Sequence, residues 1–369
     1  MPIETTSFPS TRGTDSAVVD ESNCTQPKKR VAFIYRSLSH FIETDIQILS
    51  RHFEVLPLRY ANLTSLGNII KAVFSSDIVY CWFAGRYAVF ALFFARLFGK
   101  KGVVVVGGYD VINDNRPELP LPVYQKVLTR LALEFADHVL AISDASLSSA
   151  RALIPARLWT KMTRVYLGVA FPEDQIGQVT KKEKMALTVS RLAKDQIERK
   201  GLLTFVRAAH RLPNIPFTVV GAFNEHDPAF RGLKDTAPGN VTFTGYIERS
   251  MLYQLYQRAK VYVQVSRHEG FGLALAEAMA HGCIPIASER GAIPEVVGQA
   301  GIYVDPDDDV ALAEAIESVV MSDEYDSLGV EASQRVLRRF NLLNREQELL
   351  KLLGGMTAAV APTLDSVSE

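Results

Sequence analysis

Residues 266–298 read SRHEGFGLALAEAMAHGCIPIASERGAIPEVVG, and this stretch decides the fold. Two carboxylates, Glu269 and Glu277, lie eight positions apart, with Gly-Phe-Gly at 270–272 and a run of good helix formers between them. The preceding residues 259–265, AKVYVQV, have the β-branched and aromatic content of a buried strand. The order is therefore strand, glycine loop, helix. Such a turn directs backbone N–H groups and the positive end of a helix at one point, which suits a phosphate.

This stretch resembles the donor-binding segment of the retaining GT-B glycosyltransferases of family 4, whose signature is a Glu, seven residues and a second Glu around an EGFG loop. The likeness continues in the same order through further positions, namely Gly282, Pro285, Gly291, Pro294, Glu295, Gly301, Asp305 and Pro306. In weaker form it extends over residues 31–353. The resemblance implies an α/β fold of the GT-B type: two Rossmann-like domains facing across a cleft, with a C-terminal helix that returns to the first domain.

Alternation of short apolar strands and helices in both halves of the chain predicts parallel sheets with covered faces. We predict a first, acceptor-side domain at 28–170 with five strands, a hinge at 171–184 and a nucleotide-sugar-binding domain at 185–341. A crossover helix is predicted at 342–354, and disordered tails at 1–27 and 355–369. Asp144 is the predicted cap of the helix that follows the fifth strand.

Composition describes an ordinary globular protein, with 48% apolar and 22% charged residues. The three cysteines, Cys24, Cys81 and Cys283, have neither a disulfide framework nor zinc-site spacing. The N-terminus lacks the apolar segment of a secretory signal. The predicted location is therefore the cytoplasm, including the inner face of its membrane.

Charge is unevenly distributed between the two halves. Residues 28–170 hold 18 Lys and Arg against 10 Asp and Glu, a surplus of 8 cations, whereas residues 184–350 hold 18 against 22. A basic first half predicts an anionic partner such as membrane headgroups or a phosphate-linked acceptor. The alternative is scattered surface charge without a partner.

The most apolar run, residues 87–98, reads YAVFALFFARLF. It is too short to span a bilayer, which needs about 20 residues. We expect a core helix. The alternative is a helix that dips into a membrane surface with Lys100 and Lys101 at the headgroups.

Two nucleotide-binding signatures are missing from the sequence. No GxGxxG follows the first strand, and no GxxxxGK[ST] occurs anywhere, so neither a dinucleotide cofactor nor a P-loop is predicted. No cofactor, metal site or nucleic-acid partner is expected. The carboxylate run Asp307-Asp308-Asp309 precedes a predicted helix and is interpreted as capping.

Two cations lie near the end of the first strand of the second domain. Arg191 ends TVSRL, and Lys200 follows nine positions later, directly before Gly201. An Arg fork and a Lys point charge could together bind a diphosphate. Spacing alone favours an ordinary solvated pair, but the family resemblance implies the diphosphate role for both. Ser190 stands where the family more often has glycine.

The resemblance also assigns roles to the signature stretch. Glu277 would accept hydrogen bonds from the ribose hydroxyls, and Glu269 would hold hydroxyls of the transferred sugar. The alternatives are an exposed helix glutamate for Glu277 and a dipole-stabilising acid for Glu269. Backbone N–H groups would contact the donor from four positions: Gly270, Phe271, Gly272 and Leu273.

Further donor contacts are predicted from three loops. Paired glycines at 107–108 let a ligand approach the backbone, so Gly108 is a predicted donor contact and Asp110 a candidate for orienting the sugar or acceptor hydroxyl. The alternative for Asp110 is a turn aspartate. Contacts to the base are expected from the backbone of Gly245, Tyr246 and Ile247. Residues 35–40 after the first strand contain no glycine, which departs from many relatives.

The resemblance implies a retaining, metal-independent glycosyltransferase. It would move a hexosyl unit from a nucleotide-diphosphate sugar to a hydroxyl of a glycan, a lipid-linked precursor or a small molecule. Two alternatives stay open: another GT-B enzyme such as a phosphorylase or epimerase, and a non-catalytic nucleotide-sugar-binding subunit.

Overall fold

Two six-stranded parallel sheets organise the chain, as seen in a computed structural model that describes residues 28–108, 110–111, 122–171 and 181–357. The first sheet has the order β2-β1-β3-β4-β5-β6. Its strands are β1 (Arg30–Tyr35), β2 (Glu54–Arg59), β3 (Ile78–Trp82), β4 (Lys101–Val106), β5 (His138–Ala141) and β6 (Met162–Arg164). The helices that connect them are α1 (His40–His52), α2 (Leu66–Ser75), α3 (Arg86–Leu97), α4 (Val123–Phe135) and α5 (Asp144–Arg151).

The second sheet has the order β12-β11-β10-β7-β8-β9. Its strands are β7 (Glu183–Val189), β8 (Phe217–Val220), β9 (Val241–Phe243), β10 (Ala259–Gln264), β11 (Ile284–Ala287) and β12 (Ile302–Tyr303). Its helices are α6 (Lys194–Arg199), α7 (Leu202–Arg211), α8 (Pro228–Asp235), α9 (Arg249–Arg258), α10 (Leu273–Ala280), α11 (Ile293–Val297), α12 (Asp309–Met321) and α13 (Asp326–Arg339). The last helix of the chain is α14 (Leu342–Thr357).

Burial explains why the strands read as apolar runs. Every residue of β3 and of β10 is buried, because helices cover both faces of each sheet. This confirms the predicted α/β architecture of two Rossmann-like sheets. One strand was not predicted: β6, with three residues and one buried position, lies at the edge of the first sheet.

The cap of α5 differs from the prediction. Ser143, not Asp144, is the N-cap, and its hydroxyl accepts the N–H of Ser146 at 3.0 Å. Ser143 has extended backbone angles at the end of β5, whereas Asp144 is already the first helical residue.

The crossover helix α14 returns to the first domain, as predicted. Arg345 donates two hydrogen bonds to the carboxylate of Asp45 on α1, at 2.6 and 2.7 Å, and both side chains are buried. Tyr80 and Trp82 also donate to that carboxylate. The predicted hinge falls largely on residues 172–180, which lie outside the described residues, as does the predicted tail 1–27. Of the predicted tail 355–369, residues 355–357 belong to α14, and the rest lies outside the described residues.

The apolar run 87–98 forms α3, and one side of this helix lies in the core as expected. Its buried residues are Tyr87, Ala88, Ala91, Leu92 and Ala95. The opposite side of the helix is exposed at Phe90, Phe93 and Leu97. No helix in the described part of the chain combines the length and the apolarity that crossing a bilayer requires.

Candidate active site

Two neighbouring loops of the second domain bring Lys200 and Glu269 together. Because β7 and β10 are adjacent parallel strands, the segments that follow them leave the same edge of the sheet. Gly201 has a left-handed φ of +67°, and a Cβ there would collide with the carbonyl oxygen of Val265. The glycine therefore lets the two loops pack directly, and the N–H of Arg267 donates to the carbonyl of Arg199 at 2.8 Å.

The carboxylate of Glu269 is buried and asymmetrically bound. Its Oε1 forms a close ion pair with Lys200 Nζ and lies 3.4 Å from Arg199 Nη1. Gln264 and Ser266 donate to the same oxygen, each at 3.1 Å. Oε2 accepts no hydrogen bond from the described residues. One oxygen thus fixes the side chain, and the other is left for a ligand.

These contacts set the charge state of the pair. Burial alone would raise the pKa of the Glu269 carboxyl, but the charges of Lys200 and Arg199 outweigh burial and hold that pKa below its usual value. Burial lowers the pKa of the Lys200 ammonium, and the Glu269 carboxylate opposes this shift. Glu269 is therefore an ionised acceptor near neutral pH.

The glycine loop that follows Glu269 carries backbone N–H groups without partners. Gly272, with φ +91°, precedes α10 and turns the loop into the helix. The amides of Gly270, Phe271, Gly272 and Leu273 donate to no acceptor within residues 28–108, 110–111, 122–171 and 181–357. Four free donors at a helix N-terminus favour an anion. The Phe271 side chain itself is core, since it packs on Tyr166 and Phe340.

Glu277 forms a second buried cluster on α10. Arg249, at the start of α9, makes a close ion pair with its Oε1 and also contacts the Tyr253 hydroxyl. Burial raises the pKa of Glu277, and the Arg249 charge opposes the increase. His40 of α1 faces this cluster from the first domain, and burial together with Arg249 lowers the pKa of His40 to about 4.

Arg191 is not part of the Glu269 cluster. Its side chain is 68% exposed, and its ion-pair partner is Asp195 at 3.9 Å. The segment predicted to contact the base, residues 245–247, follows β9 in the same sheet. The carbonyl of Gly245 accepts the N–H of Gly221. Ile247 is partly buried, whereas Tyr246 is 74% exposed. The structure thus joins Lys200 to Glu269 but leaves Arg191 in solvent.

The first domain meets the glycine loop through backbone. A Cβ at Gly270 would collide with the carbonyl oxygen of Gly107, and a Cβ at Gly108 would collide with Gly270. Asp110 lies beneath this contact and accepts the N–H groups of Ala84 and Gly107, at 2.9 and 3.0 Å. Its carboxylate is therefore engaged as in a turn aspartate, and its sugar-orienting role stays a prediction.

A carboxylate from the second domain also caps a helix of the first. Glu295, on α11, accepts the N–H groups of Asp144 and Ala145 at 2.7 and 2.8 Å. These are the first N–H groups of α5, which have no partner inside the helix. The two domains are thus connected on the side of the cleft that carries Glu269.

Four residues of this site received no chemical role from the sequence: His40, Arg199, Arg249 and Glu295. Arg199 is adjacent to Lys200 and could have been included with it. Glu295 was part of the matched motif, but its partner lies 151 residues away. Arg249 pairs with an acid 28 positions away across two elements, which no local pattern reveals.

The described residues contain no group of three His, Cys, Asp or Glu side chains placed to hold a metal ion. Asp308 caps α12 by accepting the N–H groups of Val310 and Ala311. Asp307 and Asp309 pair with Arg267 and Arg211, respectively.

Comparisons with known proteins agree with this fold. Residues 183–322 match the family model of the glycosyl transferases group 1. The structure of Anabaena Alr3699/HepE in complex with UDP-glucose superposes with a TM-score of 0.72 at 17% identity, covering 89% of this chain and all of that one. The chain thus has the GT-B fold, and its second domain matches the family model of the glycosyl transferases group 1.

Two curated relatives align with this GT-B chain to different extents. O-antigen chain mannosyltransferase B of Escherichia coli is 32% identical over 111 residues, which are 30% of this chain and 29% of that protein. Alpha-maltose-1-phosphate synthase of Mycolicibacterium smegmatis is 26% identical over 335 residues, which are 82% of this chain and 86% of that one. The chain thus spans less than a third of the first relative and most of the second.

Proposed function

We propose that this chain transfers a hexosyl unit from a nucleoside-diphosphate sugar to an acceptor hydroxyl, with retention at the anomeric carbon. One observation carries the proposal. The ionised carboxylate of Glu269 is fixed through one oxygen by Lys200, and the four residues that follow it have N–H groups without an acceptor among the described residues. A sugar hydroxyl and a diphosphate, held next to each other in the donor, match these two features.

The hard step is departure of the diphosphate as the sugar becomes oxocarbenium-like. Lys200 and the amides of residues 270–273 would stabilise the charge that develops on the leaving oxygen, because they are oriented before reaction. Glu269 would bind a sugar hydroxyl and, as an anion, favour the positive charge on the ring. The acceptor would attack from the side that the diphosphate leaves, and the leaving phosphate would take the acceptor proton.

The rest of the donor fits the second cluster. Glu277 would accept hydrogen bonds from the ribose hydroxyls through Oε2, the oxygen that Arg249 does not bind. Tyr246, which belongs to the segment predicted to contact the base, has an exposed side chain. Three cations, Arg199, Lys200 and Arg249, face two carboxylates in this part of the cleft, a balance that favours a phosphorylated ligand.

The names of the relatives support a hexose as the sugar of the donor. Their names mention mannosyl transfer and maltose-1-phosphate synthesis, and the superposed structure holds UDP-glucose. A nucleoside-diphosphate hexose is the donor class we propose here. For the acceptor, the surplus of cations in residues 28–170 favours an anionic glycan or a lipid-linked phosphate.

A thermal-shift screen of nucleotide sugars identifies the donor, because a bound ligand raises the unfolding temperature. The selected donor is then incubated with and without candidate acceptors, in buffer with and without EDTA, and nucleoside diphosphate release is measured. We expect slow release without acceptor, faster release with it, and no effect of EDTA. NMR of the product should show the anomeric configuration of the donor.

Three outcomes would overturn the proposal. Turnover that requires inorganic phosphate would indicate a phosphorylase, and an altered sugar formed without acceptor would indicate an epimerase. Tight donor binding without even slow hydrolysis would indicate a binding subunit.

A further inference from the structure

We propose that the first domain binds an anionic lipid bilayer through one face built from α2, α3 and α4. We call it the aromatic face and define it by six exposed side chains: Phe74, Phe90, Phe93, Leu97, Tyr124 and Val127. This deepens the proposed function, since it names the surface at which a lipid-linked acceptor would be met.

The apolar side chains of this face are continuous across three helices. Phe74 of α2 touches Phe98 with ring centroids 5.4 Å apart, and Phe98 stacks on Phe94 at 5.8 Å. Phe94 contacts Phe93 at 5.5 Å, which in turn reaches Phe135 of α4 at 5.9 Å. Such a connected aromatic surface differs from the isolated exposed apolar residues of most proteins.

The exposure of these side chains follows from the pattern of α3. Positions 90, 93 and 97 are spaced by three and four residues and therefore lie on one side of the helix, opposite the side that packs in the core. Phe93 and Leu97 are 47% and 63% exposed, and Phe74 is 66% exposed. At 12 residues α3 is about 18 Å long. It is too short to span a bilayer, so it can only lie along its surface.

The charge of the helices that form the aromatic face indicates an anionic partner. Residues 66–75, 86–101 and 123–135 hold seven Lys and Arg but one acid, Glu134. The cations are Lys71, Arg86, Arg96, Lys100, Lys101, Lys126 and Arg130. Arg130 pairs with Glu134, whereas the other six form no ion pair with any carboxylate that the structure describes. Aromatic rings with unpaired cations beside them match the acyl boundary and the headgroups of an anionic leaflet.

A second copy of this chain is a poor occupant of the same face. In a two-fold dimer the face would meet itself, and its unpaired cations would then repel each other. A bilayer with anionic headgroups supplies the missing negative charge, at about fivefold in affinity for each Lys or Arg near its surface.

The position of the face fits a membrane-bound acceptor. α3 and α4 begin after β3 and β4, at the sheet edge that carries Gly107 and Gly108. The aromatic face therefore extends from this edge of the cleft along the helices. A lipid-linked acceptor lying in the leaflet could present its headgroup to the cleft while the protein stays on the surface.

The test is flotation of the full chain with vesicles of phosphatidylcholine, alone or mixed with phosphatidylglycerol. We expect binding to the mixed vesicles only, weakening as salt is raised. Two double variants probe the face: Phe74→Ser with Leu97→Ser, and Lys100→Glu with Lys101→Glu. Each should weaken binding at least tenfold.

Matched controls lie on other parts of the molecule. Met321→Ser with Leu343→Ser removes side chains of equal exposure, 65% and 64%, and Lys181→Glu with Lys184→Glu reverses an exposed cation pair of the second domain. Both controls should bind like the wild type. All variants should keep the donor-induced thermal shift, which shows that they are folded.

Three results would overturn the proposal: a wild type that binds neither kind of vesicle, face variants that bind as well as the controls, or a wild-type dimer that the face variants convert to monomers. Vesicle binding needs no donor or acceptor. A protein that binds vesicles through this face but turns over no donor would refute the proposed function alone.

Discussion

Among single residues, Lys200 carries the largest share of the proposed chemistry. It is mostly buried on Glu269, beside the unpaired amides of the glycine loop. Replacing it by Met should lower turnover about 10²- to 10³-fold, the loss typical of removing one preorganised donor. Steady-state kinetics with the identified donor measure this effect.

The control for Lys200→Met is Lys194→Met, an exposed cation of the same segment. It should leave turnover unchanged. Equal losses in both variants would point to general charge rather than to a contact with the leaving group, and wild-type turnover in Lys200→Met would refute the role of that residue.

His40 predicts a dependence of stability on pH. The folded state holds its pKa at about 4, below the ordinary value of 6.5, chiefly through burial and secondly through Arg249. The unfolded chain therefore binds a proton at a pH where the folded chain does not, and stability is lost as pH falls from about 6.5 towards 4. His40→Gln should reduce this loss.

Unfolding temperatures measured between pH 7 and pH 4 test the prediction, with the exposed His226→Gln as control. The slope should flatten in His40→Gln and stay as in the wild type in His226→Gln. Identical slopes in all three proteins would show that His40 does not couple folding to protonation.

Among the helices, α5 depends on a cap that comes from the other domain. Removing the Glu295 carboxylate leaves two N–H groups at the start of α5 without their acceptor. Glu295→Ala should therefore weaken the contact between the domains, at a cost comparable to a lost N-cap, about 0.5–2 kcal/mol. With the donor bound, small-angle scattering should record a larger radius of gyration for Glu295→Ala than for the wild type.

The exposed Glu289, six positions earlier, provides the matched control. Glu289→Ala should scatter like the wild type. If Glu295→Ala also kept the wild-type radius, the cap would not contribute to holding the domains together.

The crossover helix is secured by one buried ion pair. Arg345→Met would leave Asp45 buried with Tyr80 and Trp82 as its remaining side-chain donors. Breaking such a pair costs about 3–5 kcal/mol. Urea unfolding should show this loss in Arg345→Met and little change in Arg338→Met, an exposed arginine nearby. Equal stability of Arg345→Met and the wild type would contradict the argument.

Elements were predicted where the pattern was strong and missed where it was short or weak. Strands rich in β-branched and aromatic residues, such as β3 and β10, were identified from residue content alone, because helices on both faces bury them. The short elements β6, α6, α11 and β12 were missed, since two to six residues carry too little periodicity. The longer helices α8 and α13 were missed as well, and the buried residues of α13 are only Gly329, Ala332 and Val336, which give a weak apolar pattern.

The candidate site also contains residues that the sequence predicted and residues that it did not. Glu269, Lys200 and the glycine loop were found because local sequence fixes their relation to adjacent strands. The pairs Arg249–Glu277 and Glu295–α5 were not found, because they form only when separate elements pack. Arg191 was predicted to bind the diphosphate together with Lys200. Its side chain is exposed and pairs with Asp195, so that role stays a prediction.

For the molecule as a whole, the two domains already touch where the donor is proposed to bind. The backbone of Gly107 and Gly108 lies against Gly270, leaving no room for a side chain at that point. We expect an open form in solution that donor binding converts to this closed arrangement, with compaction visible by scattering.

The central claim is that Lys200 and the amides of residues 270–273 together hold the diphosphate of the donor. A crystal structure with the nucleoside diphosphate selected by the thermal-shift screen tests this most directly. The account predicts phosphate oxygens within hydrogen-bond distance of Lys200 Nζ and of at least one amide of the glycine loop. A diphosphate bound elsewhere, with Lys200 still paired only to Glu269 and the loop amides facing solvent, would contradict it.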